Sequence, residues 1–329
     1  MTIKVGVVMD PIGSIKSYKD STFAMLLEAQ KRNWQIFYME QQDLWLSEGS
    51  PAARMQLLEV EDNKENWFRF TGEEERPLAD LDVILMRKDP PFDMEFIYTT
   101  YLLERAEDEG VLIVNKPQSL RDANEKLFTA WFSECCPPTL VTRKYEKIKE
   151  FLEEHQKVVV KPLDGMGGQS IFLLEQNAPN IRVILETLTQ EETRFAMAQR
   201  YISDITMGDK RILMINGEPF PYLLARIPPA DDFRGNLAVG GRGEARELSK
   251  RDQWICEQVG PVLKEKGLIF VGLDVIGDYL TEINVTSPTG IREIDSAYDV
   301  NVSAKLMDAI EGILQSKAPN SDAETQETE

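Results

Sequence analysis

Residues 158–171 read Val-Val-Val-Lys161-Pro-Leu-Asp164-Gly165-Met-Gly167-Gly168-Gln-Ser170-Ile: an apolar run, a glycine cluster, then a return to apolar character with no helical stretch behind it. Strands are predicted at 158–161 and 170–174, joined by a glycine hairpin. Glycines let successive backbone N–H groups turn inward as an anion-binding nest, and Lys161 at the strand end can set a point charge on a phosphate. Neither Gly-x-x-x-x-Gly-Lys-Ser/Thr nor Gly-x-Gly-x-x-Gly ahead of a helix is present, so the two common phosphate fingerprints are absent. Taken alone, the stretch reads equally well as a flexible turn.

Toward the N-terminus, short apolar runs at 3–9, 36–39, 83–86 and 111–114 alternate with helical patterns at 21–32, where Ser21 is the expected N-cap, and at 95–109. That alternation predicts a parallel α/β sheet. A helix from 119 or 120 to 132 ends before Pro137-Pro138, and a charged helix at 146–154 and another at 186–192 flank the glycine hairpin in a small α+β unit. Farther on, 211–215 and 220–226 enclose Asn216-Gly217, a strong hairpin signal because both turn residues must take positive φ. Residues 227–245 hold many glycines and few apolar anchors, which predicts a long mobile loop of the lid kind. A helix at 250–266, a hairpin across Gly277-Asp278 and a helix at 303–315 complete the body. The expected units are an α/β domain at 1–122, α+β lobes at 123–204 and 205–316, and an acidic disordered tail at 317–329, where one Lys against one Asp and three Glu gives −3.

Composition removes whole classes of function. The 329 residues carry 37 Lys plus Arg against 56 Asp plus Glu, a net charge of −19, without the basic stripe that draws proteins to nucleic acid or anionic lipid. His155 is the lone histidine and lies in a charged turn, so histidine acid–base or triad catalysis is excluded and a solvated side chain expected. Three cysteines, two of them adjacent (Cys135, Cys136, Cys256), fit a reducing compartment and a packing role. No signal peptide and no 18-residue apolar run is seen, so a soluble cytoplasmic protein is expected.

Chemistry concentrates in 271–287, Val-Gly-Leu-Asp274-Val-Ile-Gly277-Asp278-Tyr-Leu-Thr281-Glu282-Ile-Asn284-Val-Thr-Ser287. Strand side chains alternate faces, so Glu282 and Asn284 project together. Asp274 joins them only if the pairing register allows; a plain two-residue turn sets it opposite Thr281 instead. Two carboxylates and an amide oxygen make a hard-cation set suited to Mg²⁺ rather than zinc. Cations gather at strand ends and loops: Arg87 with Lys88, Lys126, the Asp209-Lys210-Arg211 run, Arg226, and Arg234 and Arg242 in the 227–245 loop. Open α/β sheets bind ligands beyond strand carboxyl ends.

The stretches ILMRKDPPFD (84–93), VNKPQSLRDANEKLFTAWF (114–132), VVKPLDGMGGQSIF (159–172), GDKRILMINGEP (208–219), LARIP (224–228), GGRGE (240–244), KGLIFVGLDVIGD (266–278) and LTEINVTSPTGIREI (280–294) together resemble the prokaryotic-type glutathione synthetases of the ATP-grasp ligase superfamily, over essentially 1–316. The resemblance implies an N-terminal substrate-binding domain followed by two lobes that clasp ATP, in a homo-oligomer, commonly a tetramer. It implies nucleotide contacts from Lys126, Lys161 and Asp209, phosphate cover from Gly165, Gly167 and Gly168, and a hinge strand at Gln199, Tyr201 and Ile202. Asp274, Glu282 and Asn284 correspond to ligands of two Mg²⁺ ions, for which Mn²⁺ can substitute. Arg211 and Arg226 face the transferred phosphate and acyl group, while Arg87, Arg234, Gly241 and Ser287 look like substrate or lid positions. One departure is Arg200, where the family pattern has Asn. The implied reaction joins γ-glutamylcysteine to glycine through an acyl phosphate, at the expense of ATP. Two rivals stay open at this point: an ATP-grasp ligase for other amino or peptide acids, and a silent ATP-binding scaffold. Neither nucleic acid nor membrane is an expected partner.

Overall fold

A computed structural model describes residues 2–229, 234–235 and 240–317. Its first sheet is seven-stranded: β1 (Lys4–Val8), β2 (Gln35–Met39), β3 (Leu44–Ser47), β4 (Ser50–Val60), β5 (Phe68–Pro77), β6 (Val83–Met86) and β7 (Leu112–Val114). Strands β2, β1, β6 and β7 are parallel neighbours, as expected of short apolar runs buried on both faces. The sheet is nevertheless mixed rather than parallel throughout. Strands β3, β4 and β5 add antiparallel pairs at its edge, and the sequence hides them because a bulge at Leu57/Leu58 shifts the phase of the apolar alternation in β4 and β5 carries Glu73–Glu75 with no buried residue.

A four-stranded antiparallel sheet follows in the order β10-β9-β11-β8, from β8 (Thr139–Thr142), β9 (Lys157–Pro162), β10 (Phe172–Glu175) and β11 (Ala196–Arg200). The third sheet, ordered β14-β13-β12-β15-β16, comprises β12 (Asp209–Ile215), β13 (Glu218–Ile227), β14 (Arg242–Glu247), β15 (Phe270–Ile276) and β16 (Tyr279–Asn284). The pattern of burial matters for the site. Core side chains of the first and third sheets, Val8 and Met86 with Ile212 and Leu273, share one apolar cluster. The four-stranded sheet instead closes its own core around Leu152, Val158, Val160 and Leu185. Two bodies therefore face each other. The amide of Asn115 stitches the first and third sheets together, donating to the carbonyls of Phe270 (2.7 Å) and Val285 (2.8 Å) and accepting from the Phe270 N–H (2.8 Å).

Several helices differ from expectation for local reasons. In α1 (Ser21–Lys31) the N-cap is Asp20, whose carboxylate accepts from Phe23 N–H at 2.7 Å. Ser21 is buried, and its Oγ accepts from the N–H groups of Gly290 and Ile291, the start of a helix absent from the sequence reading, Ile291–Tyr298. After α2 (Met94–Asp108), the predicted 119–132 helix is broken: α3 (Pro117–Asp122) stops, and tighter turns occupy Leu127–Cys135. Asn124 causes the break by accepting from Lys126 N–H (3.2 Å) and Leu127 N–H (2.8 Å), a local alternative to helix bonds. Helix α4 covers Tyr145–His155, and α5 covers Ile181–Thr189 rather than 186–192, because Gln190, Glu191 and Glu192 all take positive φ. The 227–245 loop is shorter than expected, since Arg242–Glu247 pairs with β13. The rest of that loop, at 230–233 and 236–239, and the acidic tail from 318 lie outside the described residues. Helices α6 (Lys250–Glu265), α7 (Ile291–Tyr298) and α8 (Val302–Lys317) close the fold, with Arg32 tying α1 to Asp308 (2.8 Å) and Glu311 (3.1 Å) of α8. Among the described residues no helix is long and apolar enough to cross a membrane.

Candidate active site

Between the two bodies opens a cleft of about 730 Å³. Its roof is the glycine loop after β9, in which Gly167 and Gly168 take φ of 60° and 81°. Cations hold this loop in place: Arg194 pairs with Asp164, Lys126 Nζ donates to the Gly165 carbonyl at 2.5 Å, and Arg234 Nη1 donates to the Gly168 carbonyl at 3.0 Å. Met166 at its tip is 42% exposed and also lines the cleft.

The floor is one face of the third sheet, and a single irregularity creates it. Across the Gly277-Asp278 turn, Ile276 pairs with Tyr279 and Val275 with Leu280, but Asp274 pairs with Glu282. Thr281 is the extra residue of a β-bulge, its Oγ1 donating to the Asp274 carbonyl at 3.1 Å. The slip brings Asp274 onto the face of Glu282 and Asn284, where a plain two-residue hairpin would have set it against Thr281. On the other side of β15 lies Arg211, paired with Asp274 in the ladder, and Asp209 pairs with Arg226.

These side chains form a dense ionic lattice. Arg211 grips Asp274 with two prongs, Nε to Oδ1 at 2.5 Å and Nη2 to Oδ2 at 3.0 Å. Arg226 Nη2 reaches Asp274 Oδ2 at 2.8 Å and Asp209 Oδ2 at 2.5 Å. Gly272 is required beneath this grip, because a Cβ there would stand 2.8 Å from Arg211 Cδ. Lys161 from β9 of the opposite body, and Lys126 from the segment that follows α3, each bring Nζ to 3.6 Å from Glu282 Oε1. Asn284 donates its Nδ2 to the Gly272 carbonyl at 3.2 Å, so its own oxygen is left to accept.

Burial would raise the Asp274 pKa, but the guanidinium groups of Arg211 and Arg226 outweigh it and hold the carboxyl well below its usual range. Glu282 is likewise lowered, burial being overcome by Lys126 and Lys161. Burial lowers the pKa of Lys161 despite Glu282. Asp209 behaves differently: burial, reinforced by Asp274 and Glu282, pushes it up to about 7 against the pull of Arg226, and its Oδ1 is buried without a partner. A carboxyl whose folded pKa exceeds its unfolded one binds more protons when folded. Its contribution to stability therefore falls as pH rises from about 4 to about 7. Asp209→Asn is expected to flatten that slope, raising the unfolding midpoint of the ligand-free protein at pH 8 more than at pH 5. Thermal unfolding followed across this range checks it, and equal shifts at both pH values would contradict it.

The donor set fits a hard cation. Glu282 offers a carboxylate and Asn284 a carbonyl oxygen on one sheet face, with neither His nor Cys beside them, while both oxygens of Asp274 are held by Arg211 and Arg226; Mg²⁺ accepts such oxygens together with phosphate and water.

Of the residues named from sequence, Lys126, Lys161, Gly165, Gly167, Gly168, Gln199, Tyr201, Ile202, Asp209, Arg211, Arg226, Arg234, Asp274, Glu282, Asn284 and Ser287 all line this one cleft. Arg87 does not. It is buried beneath the cleft wall, donating to Thr22 Oγ1 and the Pro288 carbonyl, both at 3.0 Å, so it supports the 287–289 segment from behind. Gly241, at the entry to β14, is not among the described residues that line the cleft. Arg200 lies over the Tyr279 ring at 5.3 Å. His155 is packed against Phe151 at 4.4 Å rather than freely solvated. Burial pushes the Cys136 and Cys256 thiols up to about 11 and about 12, which suits packing. Sequence reading missed Glu125, Lys16, Lys19 and Glu293, which also line the cleft. Lys16 and Lys19 follow the end of β1, so the strand-end rule applied to Asp10-Pro11 would have found them.

Residues 3–121 match the model of the prokaryotic glutathione synthetase N-terminal domain, and 125–299 match that of the prokaryotic glutathione synthetase ATP-grasp domain. The chain belongs to the prokaryotic glutathione synthetases. It is 63% identical over 313 residues to the glutathione synthetase of Escherichia coli O6:H1, covering 95% of this chain and 99% of that one. It is 61% identical over 318 residues to that of Vibrio vulnificus (97% and 100%) and 62% over 317 residues to that of Pseudomonas putida (96% and 100%). Among solved structures it is similar in fold to a D-cycloserine synthetase (TM-score 0.66, 12% identity, 94% and 99% covered). A D-alanyl-alanine synthetase of Vibrio cholerae is similar too (TM-score 0.58, 14% identity, 96% and 100% covered). An α/β N-terminal domain followed by an ATP-grasp fold is the architecture of this family member.

Proposed function

We propose that this cleft makes glutathione by priming the cysteinyl carboxylate of γ-glutamylcysteine with ATP. The chain is an ATP-dependent carboxylate–amine ligase that synthesises glutathione; what is proposed is how its residues divide the work. The γ-phosphoryl group passes to a carboxylate oxygen, ADP departs, the amine of glycine attacks the acyl carbon and loses a proton, and phosphate leaves with its C–O bond broken. No protein nucleophile is required.

The observation that carries this reading is the convergence of Arg211, Arg226, Glu282 and Asn284 on one bulge-set sheet face below Lys126, Lys161 and the glycine loop. Lys126 and Lys161 are placed to bind nucleotide phosphates, with Asp209 and the hinge residues Gln199, Tyr201 and Ile202 holding the rest of the nucleotide. Arg211 and Arg226 neutralise the charge that grows on the transferred phosphoryl and acyl oxygens, a preorganised stabilisation worth about 10²- to 10³-fold per donor. Glu282 and Asn284, joined by Asp274 once it gives up its arginine bonds, would hold two Mg²⁺, or Mn²⁺ in their stead. The metal supplies charge neutralisation on phosphate oxygens when bound. Ser287 and Arg234 sit where substrate passes, and Gly241 belongs to the lid approach. A homotetramer in the cytoplasm is part of the same proposal, supported by the family resemblance.

Phosphate release measured with γ-glutamylcysteine and glycine is expected to exceed by far the release seen when D-alanine replaces both. Turnover on D-alanine alone would transfer the protein to the dipeptide ligases, and nucleotide binding without any turnover would favour a scaffold.

A further inference from the structure

Strand β16, which carries Glu282 and Asn284, is an edge strand: in its sheet only β15 pairs with it. An edge strand with a bulge is a poor platform for ligands that must hold fixed positions, because half of its backbone groups lack a ladder partner. Here the free edge is occupied by a single residue. The carbonyl of Glu125 accepts from Ile283 N–H at 2.8 Å, and its side-chain Oε1 accepts from Val285 N–H (2.9 Å), Thr286 N–H (3.1 Å) and Thr286 Oγ1 (2.9 Å). Four donors on residues 283–286 thus end on one residue, and Asn284 lies between them. The chain neighbours of Glu125 reach the opposite body: Asn124 Nδ2 donates to the Leu163 carbonyl (3.1 Å) and Lys126 Nζ to the Gly165 carbonyl (2.5 Å), while Lys126 also stands 3.6 Å from Glu282 on β16. The three-residue run 124–126 therefore spans the cleft, joining the base of the glycine loop to the edge of the ligand strand.

We infer that Glu125 is a positioning residue that fixes the cation-binding end of β16, acting through the backbone of Val285 and Thr286 to set Asn284 and Glu282. This rests on the proposal that these two residues take the metal. The role belongs to Oε1 as an acceptor: a neutral carboxamide oxygen at the same place can receive the same three bonds, whereas a methyl group cannot. Groups that orient metal ligands from outside typically change metal affinity by about 10- to 100-fold when lost.

The test is ADP binding to the full-length protein, measured by calorimetry with and without Mg²⁺, so that the readout is the tightening that the metal confers. Glu125→Ala is expected to cut that tightening about 10-fold or more while leaving metal-free ADP affinity unchanged within about threefold. Glu125→Gln is expected to restore most of it, and Thr286→Val, which removes one donor of the three, to loosen it slightly in the same direction. Should the Ala variant not fold, the Gln and Val variants decide. An unchanged metal effect in Glu125→Ala would overturn the inference, and so would Glu125→Gln behaving as badly as Ala, since the charge and not the acceptor geometry would then matter. Because ADP and Mg²⁺ are the only ligands used, a wrong assignment of the peptide substrate would leave this outcome untouched and would show only in the phosphate assay.

Discussion

Glu282→Ala is expected to lower glutathione formation by about 10³-fold or more, the scale at which a lost metal contact removes several kcal/mol of charge stabilisation. Two consequences of the substitution add together. A carboxylate ligand disappears from the oxygen set, and Lys126 and Lys161, each 3.6 Å from Glu282 Oε1, lose their shared anion. Lys161 is buried, so an unpaired ammonium there costs folding free energy and shifts further toward the neutral form. The expected signature is a large fall in turnover, a steeper requirement for Mg²⁺, and metal-free ADP binding that is held, because the phosphates then supply the anion that the two lysines have lost. Steady-state rates across a Mg²⁺ series, with ADP titrations beside them, check all three. Turnover within tenfold of the parent would remove Glu282 from the proposed metal set.

Arg226→Ala carries the second large effect. Turnover is expected to fall about 10²- to 10³-fold, as for removal of one preorganised donor, with ADP affinity in the presence of Mg²⁺ changed by no more than about threefold. Stability should also drop, because Arg226 is buried between Asp209 and Asp274, and breaking a buried ion pair by deleting one partner costs about 3–5 kcal/mol. The burden falls on Asp209, since Asp274 keeps the fork of Arg211. Combining Arg226→Ala with Asp209→Asn is therefore expected to recover much of the stability and none of the turnover. If the double variant regained activity along with its melting temperature, the arginine would be structural and the proposed stabilisation of the phosphoryl and acyl oxygens would have to come from Arg211 alone.

Much of the fold is legible in residue order because its signals are local. Buried parallel strands announce themselves as apolar runs, and β1, β6 and β7 fall within a residue of their predicted bounds. Asn216-Gly217 and Gly277-Asp278 mark their hairpins by φ preference. Strands that face water on one side and carry charge on it, such as β5 and β14, leave no apolar run to read. The helix expected across 119–132 fails for a comparable reason: the competing bonds from the Asn124 side chain lie outside any periodicity.

Residue types alone bounded the chemistry available to this protein: oxygen donors without histidine or thiol, a glycine cluster after an apolar strand, and arginines at strand ends. Which of those groups meet was decided by long-range pairing. A bulge at Thr281 turned Asp274 onto the face of Glu282, and the packing of the first sheet against the third placed Arg87 behind the wall instead of in the cleft. The same packing brought Glu125 to the edge of a strand some 160 residues away. Side-chain alternation is a property of one strand and its neighbours in sequence. Register and edge cover depend on which distant backbone supplies the partner, and only the folded chain holds that information.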